Sequence, residues 1–409
     1  MKQSADDLAI LGGRVAFAAP LHVGRPNIGD RGALLTRIND LLDRCWLTND
    51  GPFVQELEQR IAEFLGVRHC IAMCNGTVAL EIAIRAAGLT GEVILPAFTF
   101  IATAHALQWQ EITPVFCDVD PQTYTIDPFQ VERLITPRTT GIIGVHILGQ
   151  LCQVEALAEI ANRHNLKLLF DAAHAFACSY KGTIIGNFGL AEMLSFHATK
   201  FFNTFEGGAV VTNNDDLATR IRLMKNFGFA GYDHVIHVGT NGKMSEVSAA
   251  MGLTGLESLE EFVATNYRNY KQYARELEGL PGLRLLTYDE SERCNFQYIV
   301  LEVDEVVTNI SRDKLMEILH AENVLARRYF YPGCHKMEPY RSYFPNAGLL
   351  LPKTEALVQR VLCLPTGTAI GPDEISKLCQ VIRFVVAHGP ELSLKLSAEQ
   401  EEYLEEVVV

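Results

Sequence analysis

Between about residues 54 and 215 the chain repeats one pattern, a short apolar run followed by a stretch of helical periodicity. Residues 70–73, 93–95, 114–117 and 141–145 are apolar on consecutive positions, and 166–170 is apolar but for Lys167, near its start. A strand of that kind is covered on both faces, so these runs predict the interior of a mostly parallel sheet between helical layers, an α/β fold. Ahead of the first run, Val54, Leu57, Ile61 and Phe64 share one helical face, Glu56, Glu58 and Arg60 lie elsewhere, and Gly66 is suited to end the helix. Each run leads into a loop with polar or aromatic side chains, and in an open parallel sheet ligands bind at that end of the strands.

A chain of 409 residues is longer than one core usually supports, which predicts two domains. Residues 1–53 are read as an N-terminal arm that borders the substrate and 54–255 as the large domain. A helical stretch after Glu246, carrying Met251, Leu253, Leu256, Leu259 and Phe262, leads into a smaller α/β domain over 256–390. That domain is expected to contain a strand over 296–303 and amphipathic helices over 312–322 and 372–388. The tail, 391–409, carries Glu399, Glu401, Glu402, Glu405 and Glu406 and is expected to be a solvated helix or to fray.

A formal net charge of −14 argues against a general nucleic-acid binder. Ten cysteines are scattered singly, without CxxC pairs or zinc-finger spacing, as expected of buried thiols in a reducing cytoplasm. The apolar stretch from Leu8 to Leu21 follows Asp6 and Asp7, contains Arg14 and lacks the basic start of a signal peptide. No run is long and apolar enough to suggest a membrane span.

The chemistry concentrates in a few segments. Lys200 ends Ser195-Phe196-His197-Ala198-Thr199-Lys200, shortly after Phe170-Asp171-Ala172-Ala173-His174 and before Glu206-Gly207-Gly208. A lysine can hold an aldehyde cofactor as a Schiff base, and an aspartate at a strand end can keep a pyridine nitrogen protonated, so the pair suggests a pyridoxal phosphate site. Asn75-Gly76-Thr77, between a strand and a helix, offers free amides and a hydroxyl to a phosphate, or is simply an ordinary helix cap. Phe100, after the next strand, can stack on a cofactor ring or belong to the core. His174 can bond a phenolic oxygen or be a satisfied core histidine.

These segments arrive together and in order with Gly51-Pro52-Phe53-Val54-Gln55-Glu56-Leu57-Glu58, Val145-His146-Ile147-Leu148-Gly149, Asn241-Gly242-Lys243-Met244-Ser245-Glu246 and Leu364-Pro365-Thr366-Gly367. From Gly51 to about Ile382 the chain resembles the DegT/DnrJ/EryC1/StrS family of sugar aminotransferases, within the fold type I pyridoxal phosphate enzymes. The resemblance implies that Lys200 carries pyridoxal 5'-phosphate and that Asp171 pairs with its ring nitrogen. It further implies that Gly76, Thr77 and Ser195 bind the phosphate, that Phe100 stacks on the ring and that Asn241 reaches the phosphate from a second subunit of a homodimer. His174 stands where glutamine is often found. Relatives that dehydrate sugars carry histidine in place of the lysine, so Lys200 favours transamination over a dehydratase. The segments around Lys200 and over 326–335 are similar to the branch that aminates C4 of a dTDP-4-keto-6-deoxyhexose. A C3-keto substrate is the alternative. L-glutamate is the expected donor, and Lys243, Arg327, Arg328 and His335 are candidates to meet a nucleotide diphosphate, each otherwise a solvated charge.

Overall fold

The computed structural model describes residues 2–396. Its central sheet has seven strands: β1 (His69–Met73), β2 (Glu92–Pro96), β3 (Thr113–Cys117), β4 (Thr139–Val145), β5 (Lys167–Asp171), β6 (Ala191–Ser195) and β7 (Gly208–Thr212). Their spatial order is β1-β7-β6-β5-β4-β2-β3, and all neighbours are parallel except β7, which is antiparallel to both β1 and β6. The apolar runs form β1 to β5, each within two residues of expectation at either end.

Side chains leave a strand alternately to its two faces. Cys70 and Ala72 of β1 and Val211 of β7 accordingly pack with Leu57, Ile61 and Leu65 of the helix Pro52–Leu65. Ile71, Met73 and Val210 meet Leu80 and Ile84 of the helix Gly76–Ala87 on the other face. Fully burying one such side chain contributes about 1.5–3 kcal/mol, so these two layers hold the sheet. The helix Pro52–Leu65 ends at Gly66 in the left-handed region at φ +67°, as its sequence predicts.

β6 is a strand that apolar runs do not reveal, because Glu192 sits in its middle. That carboxylate is fully buried and accepts the amides of Gly186 at 2.6 Å and Phe188 at 2.8 Å, which offsets part of its desolvation.

The smaller antiparallel sheet joins Leu283–Leu285, Ile299–Val303 and Val361–Leu364 under the helices Leu259–Leu277, Arg312–Ala321 and Pro372–Ala387. Two expectations are corrected here. The helical stretch after Glu246 is two helices, Glu246–Glu257 and Leu259–Leu277, separated at Ser258. The strand expected over 296–303 begins only at Ile299, because Phe296 adopts φ +48° and Asn295 is bonded away from the sheet, to the carbonyls of His174 and Phe176.

The N-terminal segment joins both parts of the fold. Leu21–His22 pairs in parallel with Val324–Leu325, Asn27 Nδ2 donates to the Phe201 carbonyl at 3.0 Å, and the Thr368 amide donates to Asn27 Oδ1 at 3.1 Å. The chain also crosses back late: the Cys334 amide donates to the Ala97 carbonyl, and Asp118 caps the helix Pro352–Arg360 through the amides of Lys353 and Thr354. Residues 389–396 are helical with Leu392 and Leu396 buried, so the start of the expected acidic tail packs against the body. Its five glutamates lie outside the described residues. All ten cysteines are free thiols, and eight are buried. Among the described residues no helix is long and apolar enough to cross a membrane.

Candidate active site

A cleft of about 660 Å³ opens at the carboxyl ends of β1, β2, β4, β5 and β6, the end the sequence pattern marks for ligands. Gly76, Thr77, Phe100, Asp171, His174, Ser195, Lys200 and Arg327 all line it.

At one end the helix Gly76–Ala87 begins, capped by Asn75 Oδ1, which accepts the Val78 amide at 2.8 Å. The first amides of a helix have no partner within it, and with the helix dipole they favour an anion. The space around them is set by glycine. A Cβ on Gly208 would lie 2.6 Å from the Gly76 nitrogen, and one on Gly76 would lie 3.3 Å from Ser195 Oγ. β7 thus passes close enough to the helix start to keep it in place, and any side chain at 208 would displace it.

Asp171 ends β5 and is buried. One carboxylate oxygen accepts the Ala173 amide at 3.1 Å and the other accepts Thr103 Oγ1 at 2.8 Å, with Thr99 Oγ1 3.0 Å beyond Thr103. Burial raises its pKa above the ordinary carboxylate value. These hydrogen bonds and the nearby Lys200 charge oppose the rise without cancelling it. A cationic partner in the cleft would restore the ionised form.

Lys200 sits on the loop between β6 and β7, in a turn where its amide donates to the His197 carbonyl at 2.8 Å. Beneath the loop, Phe196 and Phe202 pack on Phe176 with ring centroids 5.6 and 4.8 Å away. Burial lowers the Lys200 amine from its ordinary 10.5 to about 8, against the opposing pull of Asp171. Its Nζ donates to Tyr298 Oη at 3.3 Å.

The His174 ring stacks on Phe330 at 5.7 Å and touches Tyr298 at 4.7 Å. The Leu148 amide donates to its Nδ1 at 3.1 Å, which assigns the ring proton to Nε2. Leu148 and Gly149 hold left-handed backbone at φ +55° and +85°, the geometry that aims this amide. Burial, then the Lys200 charge, keeps the imidazole neutral far below its usual pKa, so Nε2 is a neutral donor. Phe100 is 57% exposed at the mouth, 6.3 Å from Phe330.

Four expected residues are not in the cleft of this chain. Lys243 Nζ donates to Asn241 Oδ1 at 2.7 Å and to Asn226 Oδ1 at 3.1 Å, and it borders a separate depression with Asp50, Arg222 and Lys225. Arg328 pairs with Asp313 at 3.0 Å and lies 4.2 Å over the Tyr331 ring. Arg327, bridged through its backbone to Cys363, lines the cleft, whereas its neighbour Arg328 does not. His335 is buried with Nε2 paired to Glu355 at 2.7 Å, so it holds its own loop. The sequence reading also left out Thr103, Tyr298, Tyr329 and Phe330. Tyr298 falls in a run that looks like plain core, and Thr103 lies one helical turn after Thr99.

The site's residues resemble those of known proteins over most of the chain. The signature of the DegT/DnrJ/EryC1/StrS aminotransferase family matches residues 30–383. The dTDP-4-amino-4,6-dideoxy-D-glucose transaminase of Escherichia coli is 35% identical over 361 residues, covering 88% of this chain and 97% of the relative. The enzyme of the same name from Shigella dysenteriae is 37% identical over 366 residues, covering 89% and 98%. The crystal structure of DesI with its TDP-sugar product superposes with a TM-score of 0.93 at 49% identity, covering 96% of this chain and 100% of that one. The mostly parallel sheet with its flanking helices is the fold type I architecture of these enzymes. With a signature spanning most of its length and relatives matched nearly end to end, the chain belongs to the DegT/DnrJ/EryC1/StrS aminotransferase family.

Proposed function

We propose that this aminotransferase uses pyridoxal 5'-phosphate to move the amino group of L-glutamate to C4 of a nucleotide-linked keto-deoxyhexose. The substrate we assign is dTDP-4-keto-6-deoxy-D-glucose, and the product dTDP-4-amino-4,6-dideoxy-D-glucose. The single observation that carries the reading is that the Lys200 amine and the buried carboxylate of Asp171 line one cleft, the amine's pKa lowered by desolvation. The names of the Escherichia coli and Shigella dysenteriae relatives and the TDP-sugar product bound to DesI support the substrate.

The donor set fits the cofactor. The amides of Gly76 and Thr77, the Thr77 hydroxyl and Ser195 would hold its phosphate, in the space that the two glycines leave open. A protonated pyridine nitrogen would supply the cationic partner that Asp171 lacks, His174 Nε2 could donate to a phenolic oxygen, and Phe100 would cover the ring. When bound, the cofactor supplies an electron sink for charge developing at the carbon that loses its proton.

The chain's own residues do the rest. Lys200 Nζ, close to half neutral near pH 8, takes the α-proton of glutamate and returns it on the far side of the transfer. Asp171 keeps the ring nitrogen protonated throughout. The first half takes up one water, whose oxygen becomes the keto oxygen of the departing 2-oxoglutarate; the second half runs in reverse on the sugar ketone, whose oxygen leaves as water. Arg327 is the cleft's cation for the diphosphate.

We further assign a homodimer in which Asn241 and Lys243 serve the neighbour's cleft. Supporting this, Lys243 Nζ lies 4.7 Å over the exposed Phe227 ring, and Tyr232, Val235, Ile236 and Val238 on the segment that leads to Asn241 are exposed as well. The test is a half-reaction screen. Enzyme holding the amine form of the cofactor is mixed with C3-keto and C4-keto sugar nucleotides of different bases, and recovery of the aldehyde-form absorbance is followed. Recovery with the C4-keto dTDP sugar is expected. Recovery with only C3-keto sugars, or with none, overturns the substrate assignment.

A further inference from the structure

We propose that Tyr298 is a positioning residue for Lys200, its hydroxyl receiving the amine and holding it toward the cleft whenever that amine is not bonded to the cofactor. The inference rests on the reading of Lys200 as the cofactor-bearing lysine.

A lysine amine ends a flexible four-carbon stem, and once released it must stay within reach of two carbons in turn. Tyr298 Oη is the hydrogen-bond acceptor that the structure places on Nζ, at 3.3 Å. The two groups come from different parts of the fold. Lys200 rides on the loop after β6, whereas Tyr298 stands just ahead of the strand Ile299–Val303 of the smaller sheet.

The phenol is held on every side. Its backbone carbonyl accepts Tyr288 Oη at 2.9 Å, and Asn295 and Gln297 on the same segment donate to the His174 carbonyl at 3.0 and 2.9 Å. Its ring lies between His174 at 4.7 Å and Tyr329 at 6.2 Å. Burial, with Tyr329 and Cys363 nearby, keeps it protonated far above neutrality. The other titratable groups lining the cleft around Lys200 are Asp171, His146, His174, His197, Glu206 and Arg327, and of these Asp171 acts to raise the lysine's pKa.

A neutral phenol stabilises an ammonium more than an amine, because a charge-assisted hydrogen bond is the stronger one. Removing the hydroxyl therefore lowers the lysine's pKa further and lets the freed amine wander.

The test is Tyr298→Phe, which keeps the ring and its packing. In the cofactor-free protein, competitive acylation with limiting acetic anhydride, followed by mass spectrometry of the Lys200 peptide, gives the amine's titration midpoint. The midpoint should fall by about one pH unit. In loaded enzyme, the rate of the glutamate half-reaction should fall about 10- to 100-fold, with the glutamate concentration for half-saturation nearly unchanged. An unmoved midpoint in a folded variant, or a loss confined to half-saturation, overturns the proposal. Should Tyr298→Phe fold poorly, Tyr298→Met, a smaller and more adaptable apolar side chain without a hydroxyl, is judged on the same two readouts. Borohydride reduction separates the two readings: an adduct on another lysine defeats the assignment of Lys200, whereas an adduct on Lys200 with an unmoved midpoint defeats only the role of Tyr298.

Discussion

Replacing Lys200 with methionine should make the cofactor-free enzyme more stable near neutral pH. In the folded chain the amine titrates at about 8 against an ordinary 10.5, so folding disfavours the ammonium. At about 1.4 kcal/mol per pH unit the whole drop corresponds to about 3.5 kcal/mol. Lys200 retains some contact with the open cleft, and screening reduces this to about 2 kcal/mol. Below the folded value both states carry the proton and the penalty is complete. Between about 8 and 10.5 the unfolded state binds more protons, so wild-type stability rises with pH and the penalty fades. Methionine carries no proton at any pH. Asp171, its pKa already raised by burial, can take up a proton when its counter-charge is gone. Urea unfolding of both cofactor-free proteins at equal concentration should show the variant ahead by about 2 kcal/mol near pH 7 and the gap closing near pH 10. A variant that is no more stable near pH 7, or a gap that ignores pH, would refute the argument that desolvation governs this amine.

Asp171→Asn should fold normally, as shown by circular dichroism, yet lose about 100-fold or more in turnover, since an amide cannot keep the ring nitrogen protonated. Near-normal rates would make Asp171 structural. His174→Gln should be milder than His174→Leu in the same assay, because glutamine can still donate where leucine cannot. Gly208→Ala puts a methyl 2.6 Å from the Gly76 nitrogen and should weaken cofactor binding in equilibrium dialysis, with a stability loss of about 1–3 kcal/mol. Mixing Lys200→Ala with Asn241→Asp should restore up to about a quarter of the activity by creating heterodimers with one intact site; no recovery despite proven subunit exchange would remove Asn241 from the neighbour's cleft.

The strands β1 to β5 were legible because a strand covered on both faces leaves an apolar run, with a charge such as Lys167 only near its end. β6 was not, since Glu192 breaks its run and is made tolerable by the amides of Gly186 and Phe188, which arrive from the preceding loop, with His146 facing its other oxygen. Lys200 and Asp171 were legible through their order along the chain and through the glycines beside them. Arg328 and His335 were misplaced for the opposite reason: a basic residue near the right motif reads as a ligand until its partner is known, and Asp313 and Glu355 are those partners.

What the sequence determined by itself is the set of local choices: which runs are strands, where Gly66 ends a helix, where Asn75 starts one, and which lysine and aspartate are available for chemistry. These follow from backbone preference and periodicity within a few residues of chain. The tertiary structure decided the rest. It joined Tyr298 to Lys200 across a sequence separation of 98 residues, turned His174 into a neutral donor with an amide from Leu148, and set the Lys200 amine near 8. Those properties depend on how much water packing removes from a group and on which distant atom replaces it, and neither is a property of neighbouring residues.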